Sequence, residues 1–195
     1  KWKVDLAYSC SQKGLSCPPG LGPFTMGPRA EEKMEKRSGK VPNWYLDVSL
    51  LNKYWGSDRV YHHTAPVNMN FGMREALRLL AKEGLENSWQ RHRTNAERLW
   101  AGLEGLGLEL HVPEELRLET LTTVRIPNGI DGKAFSLHLL NKHGIEIGGG
   151  LGSLAGKVWR IGLMGYNSNA ENVDRLLNIF ESEIPTFREK VAFAA

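Results

Sequence analysis

The order of strand and helix signals predicts an α/β chain in two parts: the C-terminal portion of a larger domain over residues 1–83, and a small α+β domain over residues 84–195. Three observations carry this. An alternating segment, VDLAYS (4–9), runs straight into a loop rich in glycine and proline, SQKGLSCPPGLGPFTMG (11–27), as a strand does when it opens onto a ligand-facing loop. Two amphipathic helical patterns then follow one another and break at Gly84. Beyond them the signals run β-β-α-β-β-α, the order of a compact α+β unit.

Taken in chain order, a short charged helix follows the loop, with Pro28 in its first turn and Glu31 and Glu32 at the end where the helix dipole favours acids. The aromatic stretch NWYLDVSLLNKYWG (43–56) holds a short helix that starts at Asp47. In the next helix Met69, Met73, Ala76, Leu77 and Leu80 share a face at three- and four-residue steps, and Gly84 stops it. The following helix, Leu85 to Leu106, carries Trp89, Ala96, Leu99, Trp100, Leu103 and Leu106, and Gly107 ends it. LELHV (108–112) and TLTTVRIP (120–127) read as strands, 131–143 as a helix, and IEIG (145–148) and KVWRIGLMG (157–165) as strands. The last helix opens on a capping box of Ser168 and Glu171, with Val173, Leu176, Leu177, Phe180 and Ile184 along one face.

The 195 residues are 41% apolar with a net charge of +3, and the mean hydropathy is −0.37. Basic residues are interspersed with acidic ones, as in AEEKMEKR (30–37), so there is no clustered basic stripe of the kind nucleic acid requires. No run approaches the ~18 apolar residues of a membrane span. Two cysteines, Cys10 and Cys17, cannot make a disulfide framework in a chain of this length, and no Cys or His stands around them at zinc-ligand spacing. Reduced thiols, no metal and a cytoplasmic compartment are the expectation. The chain begins at Lys1, directly ahead of a core-like strand, and reads as a fragment whose upstream part is missing.

Three segments carry residue types suited to chemistry. Lys13, in SQK (11–13), follows a strand end, where the ligands of α/β sheets gather, and lysine amines attack carbonyls to form Schiff bases. By itself this signal is weak, since most lysines are surface lysines. YHHTAP (61–66) places Tyr and Thr hydroxyls suited to phosphate oxygens beside two histidines. Adjacent residues of an extended chain point opposite ways, so His62 and His63 are not expected to share a metal. In IGGGLGSLAGKVWRIGLMG (147–165), GLGSLA fits G-x-G-x-x-A formally, but a strand rather than a helix follows it, which excludes a dinucleotide fingerprint. Arg160 stands among apolar residues in that strand and needs an anion, either an internal carboxylate or a substrate carboxylate gripped by its fork. His92, His111, His138 and His143 are scattered and receive no role.

Taken together, YSCSQKGLSCPPGLGP, YWGSDRVYHHTAP, REALRLLAKEGLENSWQRHR and IEIGGGLGSLAGKVWRIGLMG, in this order and spacing, resemble the class V aminotransferases of the alanine–glyoxylate and serine–pyruvate type, over roughly positions 4–185. The resemblance implies pyridoxal 5′-phosphate (PLP) as cofactor, with Lys13 as the lysine that joins it covalently. It implies that Gln12 helps hold the cofactor phosphate. Tyr61 and Thr64 match a pair that reaches the phosphate of the neighbouring subunit's cofactor, and Arg160 matches the arginine that grips the substrate α-carboxylate. It further implies that residues 1–83 complete a PLP-binding large domain, that the enzyme is a homodimer with shared active sites, and that it exchanges amino groups between alanine or serine and glyoxylate or pyruvate in ping-pong fashion.

Two departures from the family pattern stand out. Cys10 occupies a position usually held by glycine, and the segment that would supply the partner of the pyridine nitrogen, the aromatic stacked on the ring and most of the phosphate cup lies upstream of this chain. The chain alone is therefore expected to bind PLP weakly. Rival readings are another class V enzyme, or a non-catalytic dimerisation or binding module. Phosphoserine and aminoethylphosphonate aminotransferases are the nearer rivals within the class. A cysteine desulfurase is disfavoured by Gln12 before the lysine and by the lack of any Cys after Cys17. Some animal relatives are peroxisomal, but the terminal VAFAA (191–195) is not an SKL-like address.

Overall fold

The computed structural model describes residues 3–193, with side chains as far as Phe187. Lys1, and Ala194 and Ala195 of the terminal VAFAA, lie outside the described residues. The chain forms two compact units. One holds residues 1–12 and 17–77, and the other holds residues 13–16 and 78–195.

In the first unit, strand β1 (Leu6–Tyr8) pairs antiparallel with β2 (Phe24–Met26), Leu6 opposite Met26. Strand β2 falls inside the stretch read from sequence as loop. It is three residues long and bordered by Pro23 and Gly27, so it carries no alternation of its own. Helix α1 (Pro28–Glu35) begins with its proline at the first turn. Arg29 grips Asp5 with both arms of its fork, Nε to Oδ1 at 2.7 Å and Nη2 to Oδ2 at 2.5 Å, and so ties α1 to the start of β1. Helix α2 (Val48–Trp55) opens at Asp47, whose carboxylate accepts from the Ser49 N–H at 3.0 Å. Helix α3 (Val67–Glu83) begins in this unit, counts with the second unit from residue 78 onward, and ends at Gly84, which takes φ +88.

The second unit is built on helix α4 (Leu85–Gly105), whose buried face is Ser88, His92, Asn95, Ala96, Leu99 and Leu103. Strands β3 (Leu121–Arg125), β4 (Gly148–Gly149) and β5 (Val158–Gly162) form an antiparallel sheet in the order β3-β5-β4. Strand β4 lies on the glycines rather than on IEIG. LELHV contributes only a bridge, Leu110 to Val124, although the His111 N–H does reach the Thr123 carbonyl at 2.8 Å. Helix α5 (Gly132–His143) is capped by Asp131, which accepts from the Lys133 and Ala134 N–H groups, and it stops at Gly144 in the left-handed region, φ +65.

Helix α6 (Ala170–Phe193) starts one residue later than its sequence pattern suggests. Asn169 Oδ1 accepts from the Asn172 N–H at 2.8 Å, so Asn169 is the cap. Ser168 is instead buried and turned towards α4. Trp159, Phe135 and Phe180 fill the centre of the core with Leu99, Leu103, Leu139, Val124 and Val173, all essentially inaccessible to solvent. The Trp159 indole N–H donates to the Gly132 carbonyl at 3.0 Å, which satisfies the one polar atom of that side chain.

Helices α5 and α6 also share a polar cluster. Glu183, buried on α6, receives His138 Nε2 at 2.7 Å, Lys142 Nζ at 2.7 Å and His143 Nε2 at 2.9 Å. Hydrogen bonds from Lys142, then His138 and His143, hold its carboxyl at a pKa of about 2, against the opposing effect of burial. The sequence reading of these two histidines as scattered is corrected here. They lie five residues apart on one helix, and both turn to the same carboxylate on another.

Candidate active site

Ser11 is the foundation of the lysine loop. It is fully buried. Its hydroxyl donates to the Pro18 carbonyl at 2.7 Å and accepts from the Leu21 N–H at 3.3 Å. Its backbone N–H reaches the Leu21 carbonyl at 3.1 Å, and its carbonyl accepts from the Cys17 N–H at 3.0 Å. Four hydrogen bonds on one residue close the loop across its neck, and every polar group of Ser11 is satisfied. Gln12 is exposed. Lys13 to Ser16 then form a tight turn, with the Ser16 N–H donating to the Lys13 carbonyl at 2.9 Å and Ser16 at φ +54. The Lys13 side chain is exposed on this turn.

Within the second unit this turn meets residues 165–168. The Tyr166 N–H donates to Ser16 Oγ at 2.7 Å. Gly165 takes φ +58, and a Cβ there would run into Ser16 Oγ and come within 2.9 Å of the Gly14 carbonyl. Glycine is required both by the dihedral and by the approach. Helix α4 holds the 165–168 segment from its other side. Arg91 Nη1 donates to the Gly165 and Ser168 carbonyls at 2.8 and 2.7 Å. Asn95 Nδ2 donates to the Ser168 carbonyl at 2.9 Å. The Gly165 N–H donates to His92 Nε2 at 2.9 Å, so the ring proton belongs on Nδ1, which donates to the Ser88 carbonyl at 2.7 Å. Glu83 fixes Arg91 in turn, accepting from its Nε at 2.5 Å and its Nη2 at 2.9 Å. Those bonds hold the Glu83 carboxyl below its ordinary value of 4.5, with burial acting in the opposite sense.

Arg160 sits in β5, the central strand, on the face opposite Trp159 and Ile161. It is half-buried, and its Nε donates to the Gly149 carbonyl at 2.7 Å. The glycines of β4 make room for it: a Cβ at Gly148 would sit 3.4 Å from Arg160 Nη2. Among the described residues no carboxylate pairs with Arg160. Of the two partners considered from sequence, the internal carboxylate is not found among the described residues.

In the first unit Tyr61 Oη and Thr64 Oγ1 are 3.1 Å apart, and both residues are exposed. The neighbouring histidines depart from expectation. His62 is buried, stacked on Trp44 with ring centroids 4.0 Å apart, and its Nδ1 lies 2.9 Å from Nδ1 of His63. The two rings face each other rather than opposite sides, because the segment turns here instead of running extended. They hydrogen-bond one another, and His62 Nε2 also lies 3.2 Å from the Trp44 carbonyl.

Residues 1–176 match the family model described as aminotransferase class-V. The chain belongs to this family. It is 47% identical over 175 residues to the alanine–glyoxylate aminotransferase of Callithrix jacchus, covering 88% of this chain and 42% of that protein. Among solved structures, the alanine–glyoxylate aminotransferase from Nostoc sp. is 64% identical with a TM-score of 0.91, covering 94% of this chain and 48% of that one. The ureidoglycine–glyoxylate aminotransferase from Bacillus subtilis is 39% identical with a TM-score of 0.93, covering 95% of this chain and 48% of that one. The chain thus spans just under half the length of these relatives. Membership of the family implies PLP as cofactor. The side chains present suit it chemically: a primary amine on a fixed turn, an amide beside it, a pair of hydroxyls, and an arginine with no internal carboxylate.

Sequence reasoning missed Ser16, Gly165, His92 and the Glu83–Arg91 pair, which together fix the lysine turn. Only Gly165 left a trace, as a glycine closing the strand segment that contains Arg160. Gly165→Ala should lower stability by about 1–3 kcal/mol, read as a fall in Tm. An unchanged Tm would remove the role given to this contact. Because the folded Glu83 carboxyl titrates below its unfolded value, the pair's contribution is complete above pH 4.5 and disappears as pH falls through the lowered value. The Tm difference between the native protein and Glu83→Gln should accordingly be largest near neutrality and shrink in acid.

Proposed function

We propose that this chain carries the lysine-bearing and substrate-arginine portion of a PLP-dependent aminotransferase, which exchanges an amino group between alanine or serine and a 2-oxo acid, glyoxylate or pyruvate. The observation that carries the reading is Lys13, exposed on a turn held at Ser11 on one side and at Ser16 on the other. A nucleophilic amine gains from being presented in one place, since effective concentration at the reacting atom replaces diffusive encounter. Lys13 would hold the cofactor through its aldehyde carbon, and Gln12, Tyr61 and Thr64 would contact its phosphate, the latter two across the interface of a homodimer. When bound, PLP supplies an electron sink for the charge left at the substrate carbon.

The chain's own groups do the rest. The Arg160 fork grips the α-carboxylate of the incoming amino acid and sets its orientation. The Lys13 amine takes the proton from the substrate α-carbon, acting over a short distance as general base. Residues 1–83 are then the end of the PLP-binding large domain and residues 84–195 the small domain. The unpaired thiols of Cys10 and Cys17 suit a reducing, cytoplasmic setting. Among the described residues no helix is long and apolar enough to cross a membrane.

Glyoxylate appears in the names of relatives with different amino donors, alanine in one and ureidoglycine in the other. That favours glyoxylate as acceptor and makes the donor the quantity to measure. In the full-length protein with PLP added, borohydride reduction followed by peptide mass spectrometry should find the cofactor on Lys13, and Lys13→Ala should abolish transamination. An unmodified Lys13, or near-normal turnover by the variant, would favour a binding module instead. Arg160→Lys keeps the charge but loses the bidentate geometry. It should raise KM for the amino acid by about tenfold to a hundredfold, with a smaller effect on kcat.

A further inference from the structure

The cluster on Glu183 has the composition of a metal site. His138 stands midway along α5 and His143 is its last residue, and both point Nε2 at one carboxylate of α6, at 2.7 and 2.9 Å from its two oxygens. One ligand atom from each of the three residues falls within 4.8 Å of the other two. The side chains are largely enclosed, His138 at 24% exposure, His143 at 20% and Glu183 at 9%. We propose that His138, His143 and Glu183 bind one divalent transition-metal ion, zinc being the best chemical match, with water in the fourth position.

Two neutral imidazoles and a carboxylate form a set that zinc accepts readily and that calcium and magnesium, which prefer oxygen ligands, do not. At metal–ligand bonds of about 2.0–2.2 Å, tetrahedral ligand atoms lie roughly 3.3 Å apart. The His–Glu separations need to open by about half an ångström, which small side-chain rotations supply. With the ion on Nε2, each imidazole would carry its ring proton on Nδ1. Lys142 Nζ, 2.7 Å from the same Oε1 that His143 contacts, already places one positive charge against this carboxylate. Its side chain is 55% exposed and can swing into solvent when a stronger cation arrives. Because the ligands come from two helices, the ion would clamp α5 onto α6.

The test is zinc titration by calorimetry into the chelator-treated protein, with cobalt substitution to report coordination geometry. One equivalent of zinc should bind, cobalt should give a tetrahedral absorption spectrum, and zinc should raise Tm. His143→Asn and Glu183→Gln should each weaken binding at least about a hundredfold, and His62→Asn should leave it unchanged. Lys142→Met, which lacks the competing ammonium, should bind more tightly. Circular dichroism on each variant separates lost ligation from lost folding, and His143→Asn, at the helix end, is the variant least exposed to that ambiguity. Absence of zinc uptake by the native protein, or uptake that survives His138→Asn combined with His143→Asn, would overturn the proposal and leave a hydrogen-bonded ion network.

Discussion

One hydrogen bond with no room beside it organises the candidate site: the Tyr166 N–H to Ser16 Oγ, made where Gly165 has no side chain. A lysine amine is useful to a covalent cofactor only if its backbone stays in place, and four residues of turn cannot hold themselves. Here they rest against a segment that α4 grips through Arg91, His92 and Asn95. The apolar residues of α4 face the core of the second unit. The chemistry proposed for Lys13 thus depends on the packing of a helix some eighty residues further along the chain.

Ser11 does the complementary work in the first unit. Its hydroxyl and backbone together close the neck of the loop, and it is one of the few polar residues there to be fully buried. A buried hydroxyl that lost one of its partners would carry an uncompensated desolvation cost of about 1–3 kcal/mol. That gives the loop a single preferred closure rather than a family of open forms.

What could be read from the sequence was what repeats. Helices α3, α4 and α6 were marked by apolar spacing, which α4 and α6 bury along one face while α3 buries only Met73, and β5 is marked by an apolar run flanked by glycines. Short or irregular pairing was hidden: β2 is three residues long, and β4 is two glycines that pair because Arg160 lies across them. Contacts between distant residues left no local mark either. Ser168 resembled a cap until its carbonyl proved to be held by Arg91 and Asn95, with Asn169 doing the capping. The His138–His143–Glu183 cluster joins positions some forty residues apart, and no spacing rule reaches that far. Residues of the candidate site were assigned as a set through family resemblance, while the contacts that hold the Lys13 turn required coordinates.

The central strand also protects against its own misassembly. Side chains alternate along β5, with Val158 and Arg160 on one side and Trp159 and Ile161 on the other. If the pairing with β3 slipped by a single residue, the guanidinium would enter the apolar interior and the indole would be cast into water. Each error is severe alone, and they occur together. The alternation that keeps the Arg160 guanidinium out of the apolar core is therefore also the one that lets the sheet assemble in only one frame.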